Sequence, residues 1–259
     1  MSRALLICLL GMLAGCVQQQ IETTPISPQE TISKPADALK RAKIHTDLGA
    51  GYYERGQLGI ALDELKEALR ADPNYGPAYN VMGLVYMQLR EDGDADRNFR
   101  RALDIDPLDS DANNNYGWFL CQRKQEDQSI KYFMAALKNP LYATPEKSYV
   151  NAGICMRRIG NEQTAEEYFT KALQLRPSEP QALFNMADLS YKRREYTQAK
   201  AYLVRYMRVA APTAESLWLG VRTERKLGNR DAEATYALQL RKRYPDSTET
   251  QALNSGQFE

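Results

Sequence analysis

The chain has almost none of the residues that usually carry catalysis or bind metals. It contains one histidine, His45, among 259 residues. No phosphate-binding GxxxxGK[ST] loop, HExxH zinc motif, GxSxG nucleophile motif or paired CxxC occurs. The acidic residues are scattered as on solvated helix faces. We therefore expect no enzyme and no metal site, and we interpret His45 as a partly exposed residue of a helix.

Excess charge and long apolar runs are also missing. The 34 basic and 33 acidic residues give a net charge of +1, which offers neither a basic surface for nucleic acid nor a polybasic membrane patch. The longest apolar run, residues 4–13, has about ten residues, whereas a membrane-spanning helix needs roughly 20. At 43% hydrophobic and 26% charged residues, the chain still has the composition of a folded protein.

One pattern is present six times, with a period close to 34 residues. Each copy has a small residue as its anchor, a second small residue twelve positions later, and then a proline. The anchors are Gly49, Gly83, Gly117, Gly153, Ala187 and Gly220. The second small residues are Ala61, Ala95, Ser129, Ala165, Ala199 and Ala232. The prolines are Pro73, Pro107, Pro140, Pro177, Pro212 and Pro245.

This pattern is typical of a helical hairpin, because small residues let two helices approach and proline ends the second one. A single hairpin cannot bury its apolar face, so each copy needs neighbours. The period is that of the tetratricopeptide repeat (TPR). We predict an all-α, superhelical stack of about six TPR hairpins over residues 38–246, followed by a polar, frayed tail at 247–259. The repeats are placed near 42–75, 76–109, 110–143, 146–179, 180–212 and 213–246.

The N-terminus predicts export. Residues 1–15 have a short charged region, an apolar core and small residues before a cysteine, as in a signal peptide. The ending Leu13-Ala14-Gly15-Cys16 resembles the lipobox of bacterial lipoproteins, in which the cysteine is lipidated and becomes the first residue. The alternative is an ordinary signal peptide that ends near a cysteine. A covalent lipid on Cys16 would anchor the chain, and we expect no other cofactor.

Two features of the following segment bear on where the chain would lie. In the sorting rule for such lipoproteins, Asp after the cysteine causes retention at the inner membrane, so Val17 indicates the outer membrane. Residues 16–37 contain the lipidation site and a polar, proline-containing stretch, which predicts a disordered tether. Its 21 residues after Cys16 would span about 25 Å on average and at most about 70 Å.

Stacked TPR hairpins form a groove, and its lining can be predicted by counting from the anchors. The asparagines two residues before three anchors carry amides that could bind the backbone of a peptide, although they could equally satisfy neighbouring helices. Trp118 could be a binding anchor or could pack between repeats. The predicted groove residues are Asn115, Trp118, Gln122, Asn151, Ile154, Arg157, Arg158, Asn185, Asp188 and Tyr191.

Two further cysteines, Cys121 and Cys155, fall late in the first helices of the third and fourth repeats. These helices should be neighbours in the stack, and an exported protein meets an oxidising compartment. We expect a disulfide between them, provided that their Cα atoms lie within about 7 Å. The alternative is a pair of buried free thiols that act as small apolar residues.

The segments NNNYGWFLCQ (113–122) and NPLYATPEKSYVNAGIC (139–155) resemble the type IV pilus biogenesis and stability lipoproteins, the PilF/PilW family or pilotins. The resemblance covers essentially the whole mature chain. It implies a scaffold on the periplasmic face of the outer membrane, delivered there by the lipoprotein export machinery. Its partner would be the pilus secretin, which the scaffold helps to reach that membrane and to multimerise.

Two alternatives share some of these features. A TPR lipoprotein adaptor for peptidoglycan-remodelling enzymes would have the same lipobox and repeats, and only the two quoted segments argue against it. An exported enzyme with added TPRs is disfavoured because the signal peptide, tether and repeats account for nearly the whole chain.

The lipobox leads to a first prediction. Cys16→Ala should leave the repeats folded, because the substitution lies outside them, but should remove the protein and its secretin partner from the outer membrane. Membrane fractionation with immunoblotting measures both. Normal amounts of the variant and of secretin in the outer membrane would contradict the anchoring role.

Overall fold

The computed structural model describes residues 35–258, so the predicted signal peptide (1–15), Cys16 and most of the tether lie outside the described residues. Residues 35–258 form thirteen helices and no strand. The first six are α1 (Pro35–Glu54), α2 (Leu58–Ala71), α3 (Gly76–Leu89), α4 (Asp92–Ile105), α5 (Ser110–Gln122) and α6 (Glu126–Ala136). The others are α7 (Pro145–Arg158), α8 (Glu162–Leu175), α9 (Pro180–Lys192), α10 (Tyr196–Val209), α11 (Ala214–Lys226), α12 (Arg230–Arg243) and α13 (Thr248–Ser255).

Helices α1 to α12 pair in order into six hairpins, which confirms the predicted all-α stack. The first helices of consecutive hairpins (α1, α3, α5, α7, α9, α11) contact one another, whereas the second helices α2 to α10 contact only first helices. The stack therefore has an inner layer of first helices and an outer layer of second helices. Because the inner helices lie closer together, their free side forms the concave groove.

Each hairpin closes where its anchor residue meets a large side chain of the second helix. A β-carbon on Gly153 would lie 2.6 Å from a ring carbon of Phe169, and one on Gly83 would lie 2.7 Å from Phe99. Real β-carbons do not approach other atoms so closely, so only glycine fits against these rings. In the fifth hairpin the anchor is Ala187, and there the facing apolar residue is Leu203, which is smaller than phenylalanine. Equivalent contacts are Gly49 with Leu65, Gly117 with Phe133 and Gly220 with Tyr236.

The turn inside each hairpin needs one residue in the left-handed region. Glycine supplies it in three hairpins, at Gly56, Gly160 and Gly228, with φ between 73° and 78°. In the other three, Arg90, Lys124 and Arg194 take φ values of 60° to 64°. The backbone geometry is thus preserved where the glycine is absent, at a conformational cost to those three turns.

Helix α1 begins at Pro35 and so includes residues 35–37, which the sequence assigns to the tether. Proline is well suited to the first position of a helix, since its fixed φ is helical and it lacks an N–H that would have no partner there. Asp37 in the first turn adds a favourable interaction with the helix dipole. The helix therefore extends beyond the start of the first repeat near residue 42.

The prediction of a frayed tail from residue 247 is wrong, because residues 248–255 form helix α13. The Ser247 side chain accepts a hydrogen bond from Thr250 N, and Gly256 ends the helix with φ of 72°. Leu253 is buried, and α13 packs against α11 and α12. The helix thus covers the apolar face that the last hairpin would otherwise expose. The polar composition of this segment did not indicate a helix, because Leu253 is the one large apolar side chain with which α13 packs against α11 and α12.

The anchor contact leads to a second prediction. Gly153→Ala should lower the free energy of unfolding by about 1–3 kcal/mol, since the added methyl group overpacks Phe169. Gly51→Ala is the matched control: it lies in α1 with no atom within 4 Å of the new β-carbon, and should raise stability by about 0.5–1 kcal/mol. Urea unfolding followed by circular dichroism compares them. A Gly153→Ala protein as stable as wild type would refute the packing constraint.

Candidate binding groove

The predicted groove residues all lie on inner-layer helices α5, α7 and α9. Gln122 and Arg158 are exposed, and the remaining eight are partly buried. The set therefore forms a surface on the concave side whose members differ in how free they are to meet a partner.

The asparagines mainly connect neighbouring helices of the inner layer. Asn115 Nδ2 donates to Asn80 Oδ1 in α3 at 3.1 Å. Asn151 Nδ2 donates at 3.0 Å to Asn114 Oδ1 in α5, which also accepts from Ser148 Oγ at 3.1 Å. The sequence left open whether these amides bind a peptide or bond neighbouring helices, and in the structure they bond neighbouring helices. Asn80 and Asn114 were not among the predicted residues, although both stand three residues before an anchor.

Arg157 also links two repeats. Its guanidinium in α7 donates to Asn185 Oδ1 and Asp188 Oδ2 in α9. The side chains of Arg157 and Asp188 are each only 19% exposed. Asn185 Nδ2 is used as well, because it donates to Gln181 O at 2.7 Å. These three predicted residues therefore hold the fourth and fifth repeats together.

Charged pairs also join consecutive repeats. The Arg193 guanidinium at the end of α9 donates to both carboxylate oxygens of Glu166 in α8, at 2.5 and 2.6 Å. This hydrogen bonding lowers the pKa of Glu166, as the Arg123 guanidinium at the end of α5 lowers the pKa of Asp92 in α4. Both carboxylates thus stay ionised to lower pH than an isolated side chain would.

The middle of the groove carries a patch of four side chains, two of them exposed and two half-buried. Trp118 packs with one side against the core cluster around Phe133, and the Arg158 guanidinium carbon lies 5.1 Å from its ring centroid. Ile154 lies partly exposed in α7 and Gln122 fully exposed in α5. We call Trp118, Gln122, Ile154 and Arg158 the central patch. An aromatic ring, an aliphatic side chain, an amide and a cation together suit a peptide segment of mixed polarity.

Tyr191 belongs to a separate cluster that sequence reasoning missed. The Arg222 guanidinium carbon in α11 lies 4.8 Å from the Tyr191 ring centroid and 5.6 Å from that of Trp218. Trp218 stands two residues before the anchor Gly220, the position that asparagine has in the three preceding repeats. That equivalence was the signal from which the sequence could have placed Trp218 on the inner layer.

The two late cysteines lie in contact between α5 and α7. Cys121 and Cys155 form a disulfide with their Cα atoms 5.9 Å apart, within the range that a disulfide requires. Both are buried, and Ser129 Oγ lies 3.5 Å from Cys155 Sγ. The bond thus joins the inner helices of the third and fourth repeats, within the buried cluster against which Trp118 packs.

The described residues offer no cluster of three or more side chains suited to a metal ion. His45 Nδ1 lies 2.7 Å from Glu64 Oε2, which links the two helices of the first hairpin. None of the helices in residues 35–258 is both long and apolar enough to cross a membrane.

The family model of the tetratricopeptide repeat matches residues 66–209, more than half of the chain. Together with the six hairpins and their glycine contacts, this match makes the chain a TPR protein.

Comparison with known proteins shows to which family of TPR proteins the chain belongs. The type IV pilus assembly protein PilF of Pseudomonas aeruginosa is 33% identical over 98% of this chain and 98% of its own length. The solved structure of P. aeruginosa PilF matches with a TM-score of 0.78 at 32% identity, covering 86% of this chain and 99% of that one. The structure of PilW, described as a widely conserved type IV pilus biogenesis factor, matches with a TM-score of 0.73 at 34% identity, covering 82% and 97%. The chain belongs to the PilF/PilW family of TPR proteins of type IV pilus biogenesis, which confirms the predicted resemblance.

The disulfide leads to a third prediction. Reduction should lower the free energy of unfolding by about 3–4 kcal/mol, because the bond closes a loop of 34 residues in the unfolded chain. Urea unfolding with and without reductant measures the loss, and the Cys121→Ala/Cys155→Ala protein should not respond to reductant. Free, alkylatable thiols at both positions in protein purified from the oxidising compartment would contradict the bond.

Proposed function

We propose that this protein is an outer-membrane lipoprotein scaffold that binds the secretin of the type IV pilus and promotes its localisation and multimerisation. The observation that carries the proposal is the similarity to PilF over almost the full length of both chains. A shared domain alone would leave the rest of the protein unexplained, whereas here the N-terminal region and all six repeats align with a pilus assembly protein.

Localisation would come from the N-terminus. The lipobox ending at Cys16 would receive the lipid, the lipoprotein export machinery would carry the chain, and Val17 would permit transfer to the outer membrane. Eighteen residues separate Cys16 from the start of α1. A chain of that length reaches at most about 60 Å, so the start of α1 would stay within that distance of the periplasmic face.

Binding would come from the central patch rather than from every groove residue. Asn115, Asn151, Arg157, Asn185 and Asp188 already bond neighbouring side chains. Arg158 is exposed and Trp118 partly so, and their main contact is with each other, since the guanidinium lies over the ring; Arg158 Nη1 also lies 4.0 Å from Cys121 Sγ. Since a few anchors usually supply most of the affinity of an interface, these two side chains are the expected contacts for a secretin segment.

The role would be delivery and not catalysis. The described residues hold no group of three or more side chains that could bind a metal ion, and the lipid on Cys16 would be a covalent addition rather than a cofactor. The scaffold would be targeted to the outer membrane by its lipid and would bind the secretin, so that the secretin reaches that membrane and assembles in it.

The central patch leads to a fourth prediction. Trp118→Ala with Arg158→Ala should weaken secretin binding by at least tenfold and reduce the heat-stable secretin multimer, because both expected contacts are lost. Arg208→Ala is the matched control, since Arg208 is an exposed arginine on outer helix α10. Each variant is expressed in a deletion strain, and the multimer is assayed by gel in its membranes.

Three outcomes would overturn parts of this proposal. A deletion strain that keeps the multimer but loses pili would place the protein later, at pilus stability. A strain that keeps both, with cell-wall hydrolases recovered by pull-down, would favour the adaptor for peptidoglycan-remodelling enzymes. Unchanged secretin binding by a folded Trp118→Ala/Arg158→Ala variant would move the site away from the central patch.

A further inference from the structure

The C-terminal end of the groove holds five side chains that we call the aromatic–arginine cluster: Tyr191, Trp218, Arg222, Arg225 and Phe258. The Arg222 guanidinium lies against the rings of both Tyr191 and Trp218. The rings of Trp218 and Phe258 are stacked, with centroids 5.6 Å apart and planes inclined by 27°. The Arg225 guanidinium carbon lies 3.8 Å from the centroid of Phe258. The Phe258 ring therefore has an aromatic partner and a cationic partner at the same time.

Phe258 reaches this position because the chain turns back after α13. Gly256 takes φ of 72°, and Gln257 N donates to Ala252 O at 3.0 Å, which closes the helix end. The last six residues, Asn-Ser-Gly-Gln-Phe-Glu, contain one large apolar side chain, Phe258, followed directly by Glu259 in the sequence. Phe258 is thus the single apolar anchor of a polar terminal segment.

Trp218 connects this segment to the groove. It occupies the repeat position at which Asn115, Asn151 and Asn185 stand on the inner layer. The ring contact of Phe258 with Trp218 therefore falls where a bound peptide would pass along the groove.

Arg222 has binding capacity left over. Its Nε is buried and has no hydrogen-bond partner among the described residues. A guanidinium carries five N–H donors and interacts most favourably with a carboxylate. Arg225 adds a second cation, although Glu233 already bonds it at 3.0 Å. A ligand that places a carboxylate beside its aromatic ring would therefore satisfy Arg222 better than an aromatic ring alone.

We propose that this end of the groove is a second peptide site, for an extended partner segment in which an aromatic residue is followed by a carboxylate. The chain's own Phe258 is the built-in competitor for that site. A tethered segment acts at an effective concentration in the millimolar range, so the site stays closed to weak ligands and opens to strong or locally concentrated ones. The inference does not depend on the pilus role proposed above.

The test uses two fluorescein-labelled peptides and the full-length chain. The first peptide is Asn-Ser-Gly-Gln-Phe-Glu, and the second has alanine in place of phenylalanine. Binding is followed by fluorescence anisotropy. Phe258→Ala in the chain should raise affinity for the first peptide at least tenfold over wild type, because the competitor is removed. The second peptide should bind the same variant at least tenfold more weakly than the first.

Matched variants locate the site. Added to Phe258→Ala, Trp218→Leu should abolish binding of the first peptide, because the stacking surface is lost. Trp118→Leu, at the other tryptophan of the chain, should leave binding unchanged. Arg222→Gln should weaken binding of the first peptide but not of a version that carries glutamine in place of its final glutamate and an amidated end.

The proposal fails if neither the Phe258→Ala chain nor a chain ending at Ser255 binds the first peptide while circular dichroism shows both folded. It also fails if both peptides bind equally, or if Trp118→Leu abolishes binding as Trp218→Leu does. In the first case Phe258 is a fixed structural cap of the last repeat. These results are independent of the secretin assays, so either proposal can stand when the other falls.

Discussion

The close approach of two helices at one small residue is the contact on which the whole stack depends. Where the anchor is glycine, a ring or leucine side chain of the second helix occupies the space that a β-carbon would need. This fixes the distance within each hairpin, and with it the face that each hairpin offers to the next. The inner layer, the groove and its lining all follow from that repeated geometry, because each repeat packs only on its neighbours.

The repeat architecture could be predicted from sequence because close packing leaves a residue at a fixed position in every copy. Glycine, alanine and proline cannot be exchanged freely there, so their spacing reports the fold. The end of the chain left no such trace: α13 needs only Leu253 and a serine cap to dock. The pairing of Cys121 with Cys155 could be anticipated because both fall late in the first helices of consecutive repeats, and those helices are neighbours.

The groove was harder to predict, because repeat position tells which side chains lie on the inner layer but not what they bind. Arg157 and Arg158 are adjacent in sequence, yet one bridges Asn185 and Asp188 while the other lies over Trp118. The difference depends on side chains that are about 30 to 40 residues away along the chain but adjacent in space. Some polar residues of the groove thus hold repeats together and others are available for a partner. The contacts in the structure distinguish the two groups, whereas repeat position does not.

The disulfide has a mechanical consequence. In a stack whose repeats contact only their neighbours, the overall curvature is the sum of small rotations between consecutive repeats, so the stack can bend as a whole. The disulfide between α5 and α7 restricts the rotation between hairpins three and four, at the middle of the stack. Bending between hairpins three and four is then restricted, whereas the hairpins before and after them carry no such bond among the described residues. The central patch lies on the two hairpins that the disulfide joins, and the aromatic–arginine cluster lies on hairpins five and six and the C-terminal segment. The groove would therefore keep a fixed shape at its centre and adapt its shape to a partner at its C-terminal end.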